Sequence, residues 1–173
     1  MQSGRTQRLF FALWPQPGVR AALAGWRDQA HAVAGGRAMQ SRNLHMTLAF
    51  LGETGIDRMP AIEDAARSVR LEPGVMRLDR CAFWKHNHIV WAGGDAPEIL
   101  QSAVGRLRDA LDRAGVTVDH KPFVPHVTLL RNVNAFANVP VMEPIDWPLS
   151  DFVLVASGHD AAGVVYRIAS GQF

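Results

Sequence analysis

Apolar residues recur along this chain with two different spacings, which separate predicted helices from predicted strands. Three segments repeat apolar residues every three or four positions, as amphipathic helices do, and they cover residues 17–34, 56–69 and 97–114. Short continuous or alternating apolar runs predict strands at residues 8–14, 44–51, 75–83, 88–92, 116–118, 123–130, 152–156 and 164–169. Residues 132–148 are rich in Asn and Pro and are predicted to form a loop. Together these elements predict a mixed α/β fold.

The order of these elements repeats once at long range. In each half, a strand is followed by a helix that starts near a proline, and then by a strand that carries His-x-Thr-Leu. His45 lies 28 residues after Pro17, and His126 lies 29 residues after Pro97. We therefore predict two similar halves, each of which contributes one such strand.

Composition narrows the class of protein. The chain has 173 residues, of which 48% are hydrophobic and 20% charged, a balance typical of one globular domain over residues 1–173. No apolar run approaches the length of a membrane span, so no membrane partner is predicted. The single cysteine, Cys81, excludes an internal disulfide and favours a cytoplasmic protein. The net charge of +2 argues against a strongly basic protein that coats nucleic acid, but it allows a local basic cleft.

The duplicated motif carries the candidate chemistry. It reads His45-Met-Thr-Leu in the first half and His126-Val-Thr-Leu in the second. Residues i and i+2 of a strand share a face, so each imidazole lies beside a hydroxyl, that of Thr47 or that of Thr128. Such a pair can transfer a proton and bind an anion. Two pairs that face each other could bracket one phosphate group.

The chain resembles the 2H phosphoesterases, a family named for two His-x-Thr motifs, and within it the bacterial RNA 2′,3′-cyclic phosphodiesterases, also called 2′-5′ RNA ligases. The resemblance rests on RLFFAL at residues 8–13, NLHMTLAFLGE at 43–53 and PFVPHVTLLR at 122–131. It implies an α/β fold of two pseudo-symmetric lobes, each an antiparallel-rich sheet with helices outside. The two lobes would enclose a central cleft that contains both motifs.

The resemblance also implies a role for each site residue. His45 would be the proton donor and His126 the proton acceptor, while Thr47, Thr128 and Arg131 would bind the phosphate. Regular alternation points Arg131 to the face opposite His126, which lies five residues earlier. For Arg131 to reach the phosphate, the strand must end or bulge before it, or its long side chain must reach around.

Other residues are candidates for stacking on a base or for binding a metal. Phe123 and Trp84 are candidates for stacking on a base, because an aromatic ring can pack on the face of any base. The segment 85–88 carries two histidines, but no acidic residue accompanies them at ligand spacing. We therefore predict no metal and no other cofactor.

The predicted function is metal-free hydrolysis of RNA 2′,3′-cyclic phosphate ends to 2′-phosphomonoesters by a monomeric enzyme. Histidine can supply both proton transfers near neutral pH without a metal. Three alternatives stay open: a 2′-5′ RNA ligase, a phosphodiesterase of small cyclic nucleotides, and an RNA- or nucleotide-binding module without turnover. The two intact motifs favour catalysis over the last, because binding alone does not need two titrating groups.

Overall fold

The structure is a computed structural model and describes residues 4–173. Its strands in that range are β1 (Thr6–Leu13), β2 (Arg37–Ala38), β3 (Met46–Gly55), β4 (Gly74–Leu78), β5 (Arg80–Trp84), β6 (Ile89–Gly93), β7 (His126–Arg131), β8 (Ile145–Leu149), β9 (Val153–Asp160) and β10 (Gly163–Gly171). Its α-helices there are α1 (Pro17–Ala34), α2 (Met59–Arg67) and α3 (Glu98–Arg113).

Two four-stranded antiparallel sheets form the two lobes. The first has the strand order β10-β9-β1-β3, and the second has the order β2-β7-β6-β5. A separate ribbon pairs β4 with β8. Each half follows the predicted order of strand, helix and motif strand, since β1 and β3 flank α1 while β6 and β7 flank α3. The predicted two-lobed α/β fold is confirmed, and β3 lies against β7 where the lobes meet.

The helices connect the two lobes. Helix α1 follows a strand of the first sheet but packs against β6, β7 and β8, whereas α3 follows a strand of the second sheet but packs against α2 and β3. The buried faces of α1 and α3 are the apolar faces that the sequence predicts, and they join one continuous core. Because each half packs its helix against the other half, we propose that the chain folds as a single domain.

Three predicted elements differ from the structure. The predicted strand at 75–83 is two strands, β4 and β5, which separate at Asp79 and join different sheets. Within the predicted loop at 132–148, β8 pairs with β4 and buries alternate residues, and Pro148 is tolerated because the ribbon has only one partner strand. Val116 and Val118 are buried, as in a strand, but the backbone at 116–118 joins no sheet.

Glycine is required where β2 approaches β7. Gly36 has a φ of 76°, and a Cβ at this position would lie 2.7 Å from the carbonyl oxygen of Arg131. Any larger residue would push the two segments apart. Gly36 therefore allows the pairing of Arg37 with Arg131, which places β2 beside the second motif strand.

Candidate active site

The two motifs meet at one cleft between the lobes. His45 immediately precedes β3 and Thr47 lies within it, while His126 and Thr128 lie on β7. The cleft encloses about 220 Å³. Its lining residues are Arg8, Phe10, Met39, Asn43, His45, Thr47, Phe50, His126, Thr128, Arg131 and Tyr166. The structure thus brings together the five residues that the sequence predicts for acid–base chemistry and phosphate binding.

Each imidazole is oriented by a hydrogen bond to the main-chain carbonyl two residues before it. The Nδ1 atom of His45 donates to the carbonyl of Asn43 at 2.7 Å, and that of His126 donates to the carbonyl of Val124 at 2.8 Å. A carbonyl can only accept, so Nδ1 carries the hydrogen and Nε2 is the basic nitrogen of each neutral ring. The hydroxyl of Thr47 donates to Nε2 of His45 at 3.0 Å. Each ring therefore presents Nε2 for proton transfer.

A β-bulge explains how Arg131 reaches the cleft. In the β6–β7 pairing, Trp91 lies opposite Thr128 but Val90 lies opposite Leu130, so Leu129 is an extra residue. Leu129 and Leu130 are both buried, and the alternation resumes with Arg131 on the face of Thr128. Of the explanations that the sequence allowed for how Arg131 reaches the phosphate, the structure shows the bulge.

The first motif strand has a bulge at the corresponding position. Ala12 pairs with Thr47 and Phe11 with Ala49, so Leu48 is the extra residue in β3. Phe50, five residues after His45, thus lines the cleft as Arg131 does five residues after His126. The two lobes differ here: one contributes an aromatic ring and the other a guanidinium. Sequence reasoning missed Phe50, although the equal offsets from the two histidines could have indicated it.

Aromatic rings surround the His45 imidazole. The His45 ring lies 4.8 Å from Phe10, 5.1 Å from Tyr166 and 6.1 Å from Trp14, measured between centroids. Phe10 and Tyr166 also line the cleft, and sequence reasoning did not single them out. These rings restrict the orientation of the His45 imidazole and exclude water from one side of it.

The candidate stacking residues lie on the second lobe. Trp84 packs edge-to-face on His126, with 4.7 Å between centroids, and Trp91 stands 4.9 Å from Trp84. Phe123 is partly buried against the main core and is not among the residues that line the cleft. The structure therefore places Trp84 beside the site and Phe123 outside its lining. Base stacking by either residue stays a prediction.

Burial lowers the pKa of both histidines. It lowers the pKa of His45 to about 4, and the nearby charges of His126, Arg131 and Arg20 act in the same direction. Burial, followed by the positive charge of Arg131, also lowers the pKa of His126. Both imidazoles are therefore neutral at pH 7 in the protein by itself.

This pKa shift predicts a specific dependence of stability on pH. The unfolded chain binds the His45 proton with a pKa near 6.5, so between pH 6.5 and about 4 the unfolded state holds more protons than the native state. The free energy of unfolding should therefore decrease as the pH is lowered through this window, and His45 should contribute up to about 3 kcal/mol of the decrease.

Urea unfolding at pH 7.5 and pH 4.5 measures the effect as the difference between the wild type and His45→Gln. The variant should lose less stability than the wild type on acidification, since Gln does not titrate. Carboxylates contribute equally to both proteins and cancel in the difference. Equal losses in the two proteins would contradict the assigned shift.

Asn43 fixes the backbone that orients His45. It is buried, with 4% of its surface exposed, and its side chain donates to the carbonyl of Val164 at 2.8 Å and accepts from the amide of Tyr166 at 3.1 Å. Its own carbonyl is the acceptor for His45. Asn43 thus joins β10 to the segment before β3. Nothing in the sequence indicated this role beyond the place of Asn43 in the matched segment.

Replacing Asn43 by alanine should weaken both the fold and catalysis. Two partly buried main-chain groups would lose their partner, which costs roughly 2–4 kcal/mol of unfolding free energy at about 1–2 kcal/mol each. Urea unfolding measures this loss, and kcat should fall while the cleft keeps its charged groups. Asn43→Asp retains the acceptor for Tyr166 but places a buried carboxylate oxygen against the carbonyl of Val164, so it should be at least as destabilised as Asn43→Ala. If a folded Asn43→Ala variant keeps the wild-type kcat, Asn43 does not position His45 for catalysis.

No metal centre accompanies the histidines in the described chain. Within residues 4–173, no group of three or more His, Cys, Asp or Glu side chains is arranged to hold a metal ion. No helix in that range is long and apolar enough to cross a membrane.

Similarity to known proteins agrees with this geometry. The LigT-like phosphoesterase family matches residues 13–91. The RNA 2′,3′-cyclic phosphodiesterase of Escherichia coli (strain K12) is 32% identical over 154 residues, covering 87% of this chain and 87% of that protein. The RNA 2′,3′-cyclic phosphodiesterase of Thermus thermophilus is 32% identical over 172 residues, covering 93% of this chain and 87% of that protein.

Solved structures share the whole fold. The crystal structure of E. coli LigT complexed with 3′-AMP has a TM-score of 0.86 and 29% identity, and the match covers 97% of this chain and 98% of that one. A crystal structure of a Thermus thermophilus protein, TT0787, has a TM-score of 0.75 and 30% identity, with 95% and 96% covered. The identity to curated relatives and the shared fold confirm the resemblance seen in the sequence: the chain belongs to the LigT-like phosphoesterases of the 2H phosphoesterase family.

Proposed function

We propose that the protein hydrolyses the 2′,3′-cyclic phosphate at RNA ends to a 2′-phosphomonoester, without a metal. One observation carries the proposal: two imidazoles, each held by a main-chain carbonyl through Nδ1, share a single cleft with two threonines and Arg131. The relatives named RNA 2′,3′-cyclic phosphodiesterase support the choice of substrate.

In the proposed reaction, water attacks phosphorus in line with the 3′ oxygen. Nε2 of His126 takes a proton from the water as its oxygen bonds to phosphorus. Nε2 of His45 gives a proton to the 3′ oxygen as the bond from phosphorus to that oxygen breaks. The ring opens, the phosphate stays on the 2′ oxygen, and the two histidines have exchanged protonation states. These roles follow the family resemblance, and the shared orientation of the two rings is consistent with them.

Negative charge that develops on the phosphate needs fixed donors. The hydroxyls of Thr47 and Thr128 and the guanidinium of Arg131 line the cleft where the equatorial oxygens would lie. Arginine suits this role because it stays charged and can donate two parallel hydrogen bonds to phosphate oxygens. Its position on the bulged strand aims it at the same space as Thr128.

The acid must acquire its proton when substrate binds. Burial holds the pKa of His45 near 4 in the protein by itself, so this ring is neutral at pH 7. The anionic phosphodiester would lie beside the ring and raise its pKa, because an opposite charge favours the protonated form. The arrangement thereby ties protonation of His45 to the presence of substrate.

The cleft is built within one chain, which supports our proposal that the enzyme acts as a monomer. The single cysteine, Cys81, is compatible with our proposal of a cytoplasmic location, since a reducing compartment forms few disulfides. Its pKa is raised by burial to about 11, so the thiol is not a nucleophile for this chemistry.

Phosphorus NMR of adenosine 2′,3′-cyclic phosphate incubated with the pure protein tests the function. We expect the cyclic phosphate signal to be replaced by that of the 2′-monophosphate. Excess EDTA should leave the rate unchanged, because histidine alone supplies the proton transfers. A 3′-monophosphate product would reverse the proposed leaving group, and absence of turnover would refute hydrolysis. A tenfold loss in EDTA that zinc or manganese restores would refute the metal-free mechanism.

A further inference from the structure

A second cavity adjoins the cleft. It measures about 480 Å³ and is lined by Arg5, Thr6, Gln7, Arg8, Glu53, Ile56, Ser157 and His159. Arg8 lines both this cavity and the cleft. Arg8 is therefore the side chain at which the two cavities meet. We call the second cavity the Arg5 groove.

The register of the first sheet places the groove on the same face as the cleft. Alternate residues of β1 share a face, so Thr6 and Arg8 lie on the face of Phe10, which borders His45. Ser157 lies opposite Arg8 on β9 and also faces the groove. The path from the cleft thus runs along β1 toward its start, and Arg5 lies about 10 Å beyond Arg8 at the usual rise per residue.

The groove has positive charge available for an anion. Arg5 and Arg8 face it, against one acid, Glu53. Among residues 4–173, no ion pair involves Arg5 or Arg8. The neighbouring acid Asp160 is paired with Arg42 at 2.9 Å. Arg8 instead rests on the ring of Phe50, with its guanidinium carbon 4.8 Å from the centroid.

The cleft is too small to hold more than the end of an RNA strand, so the rest of the RNA needs a route out of it. About 220 Å³ is less than the roughly 300–1,000 Å³ of pockets that enclose a whole small ligand. The cleft can therefore hold the reacting end of an RNA, while the preceding nucleotides must leave it. The groove shares Arg8 with the cleft, and its charge is opposite to that of an RNA backbone.

We propose that the Arg5 groove binds the phosphodiester one nucleotide upstream of the terminal cyclic phosphate, with Arg5 as the main contact. This inference rests on the proposed function. It makes the enzyme selective for RNA strands over mononucleotides that carry the same cyclic end. Arg5 does not touch the reacting atoms, so its contribution is to substrate binding alone.

The test compares two substrates that share the same reacting end. One is adenosine 2′,3′-cyclic phosphate, and the other is the dinucleotide that carries one further adenosine upstream. We expect kcat/KM to be about three- to tenfold higher for the dinucleotide, as one charge-assisted contact provides. Arg5→Ala should remove most of this preference and leave kcat/KM for the mononucleotide within twofold. Arg5→Lys should retain part of the preference.

A neutral linkage tests whether the contact is with charge. A dinucleotide with an upstream methylphosphonate keeps the second base but lacks the anionic oxygen. Wild type should treat it like the mononucleotide, and Arg5→Ala should not distinguish it from the normal dinucleotide. Arg70→Ala is the matched control: it removes an arginine with 84% of its side chain exposed, outside the groove, and should behave as wild type.

The outcomes separate this inference from the proposed function. Equal kcat/KM for the two substrates in the wild type would overturn the groove while leaving hydrolysis intact. A preference that survives with the methylphosphonate would assign it to the second base, and one that survives in Arg5→Ala would assign it to a residue other than Arg5; either result would overturn the inference. If neither substrate is hydrolysed, the proposed function fails first.

Discussion

Replacing either His45 or His126 by alanine is expected to lower kcat on a 2′,3′-cyclic phosphate by at least about 100-fold, the lower end of what a general acid or base contributes. The fold should survive, because each histidine lies at the border of the cleft rather than in the core. Steady-state kinetics on adenosine 2′,3′-cyclic phosphate measure the loss, and urea unfolding confirms that the variants are folded. Near-normal turnover in both variants would refute two-histidine catalysis.

A substrate with a better leaving group separates the two roles. When the 3′ oxygen is replaced by a group that departs without a proton, the acid is no longer needed while the base still is. Such a substrate should restore much of the activity of His45→Ala and little of that of His126→Ala. Rescue of His126→Ala instead would exchange the two roles. The outcome matters because the two rings have the same hydrogen-bond pattern and their static geometry is nearly symmetric.

The second large effect is expected from the threonines. Thr47→Val and Thr128→Val keep the β-branched shape and remove a hydroxyl donor, which should cost each about 2–4 kcal/mol of transition-state stabilisation, roughly 30- to 1,000-fold in kcat. KM should change less, since the donor matters most when charge builds up on the phosphate. Kinetics on the same cyclic phosphate provide the measurement.

Thr54→Val is the matched control on the same strand. Thr54 donates to the carbonyl of Gly52 at 3.1 Å and lies outside the cleft lining, so its replacement should leave kcat unchanged. Near-wild-type kcat in both cleft variants would mean that Thr47 and Thr128 only favour the strand conformation. A large loss in Thr47→Val alone would point to its hydrogen bond with His45 rather than to a phosphate contact.

Local patterns predicted the elements whose environment is simple. The helical spacing in α1 and α3 was sufficient because each helix buries one face against a core. The pattern failed at residues 75–83, where two strands that belong to different sheets follow one another with a break at Asp79. It failed again at β8, because a proline and polar neighbours hide a strand whose alternate residues are buried only by the ribbon partner.

The candidate site was predictable in part. His45, Thr47, His126 and Thr128 follow from a repeated motif and the two-residue period of a strand, which are properties of the chain alone. Phe10 and Tyr166 reach the cleft from β1 and β10, so no local pattern relates them to the histidines, whereas Phe50 could have been indicated only by its offset of five residues from His45. Asn43 is similar, because its importance lies in hydrogen bonds to β10, more than 120 residues away.

The sequence by itself determined the helices, most of the strands, the two halves and the pairing of imidazole with hydroxyl, because these depend on the spacing of residues within one element. Only the tertiary structure decided that the two motif strands face one cleft, that extra residues at Leu48 and Leu129 turn Phe50 and Arg131 into it, and that burial depresses both histidine pKa values. Register, bulges and desolvation arise from what packs against a strand, and that information is spread over the whole chain.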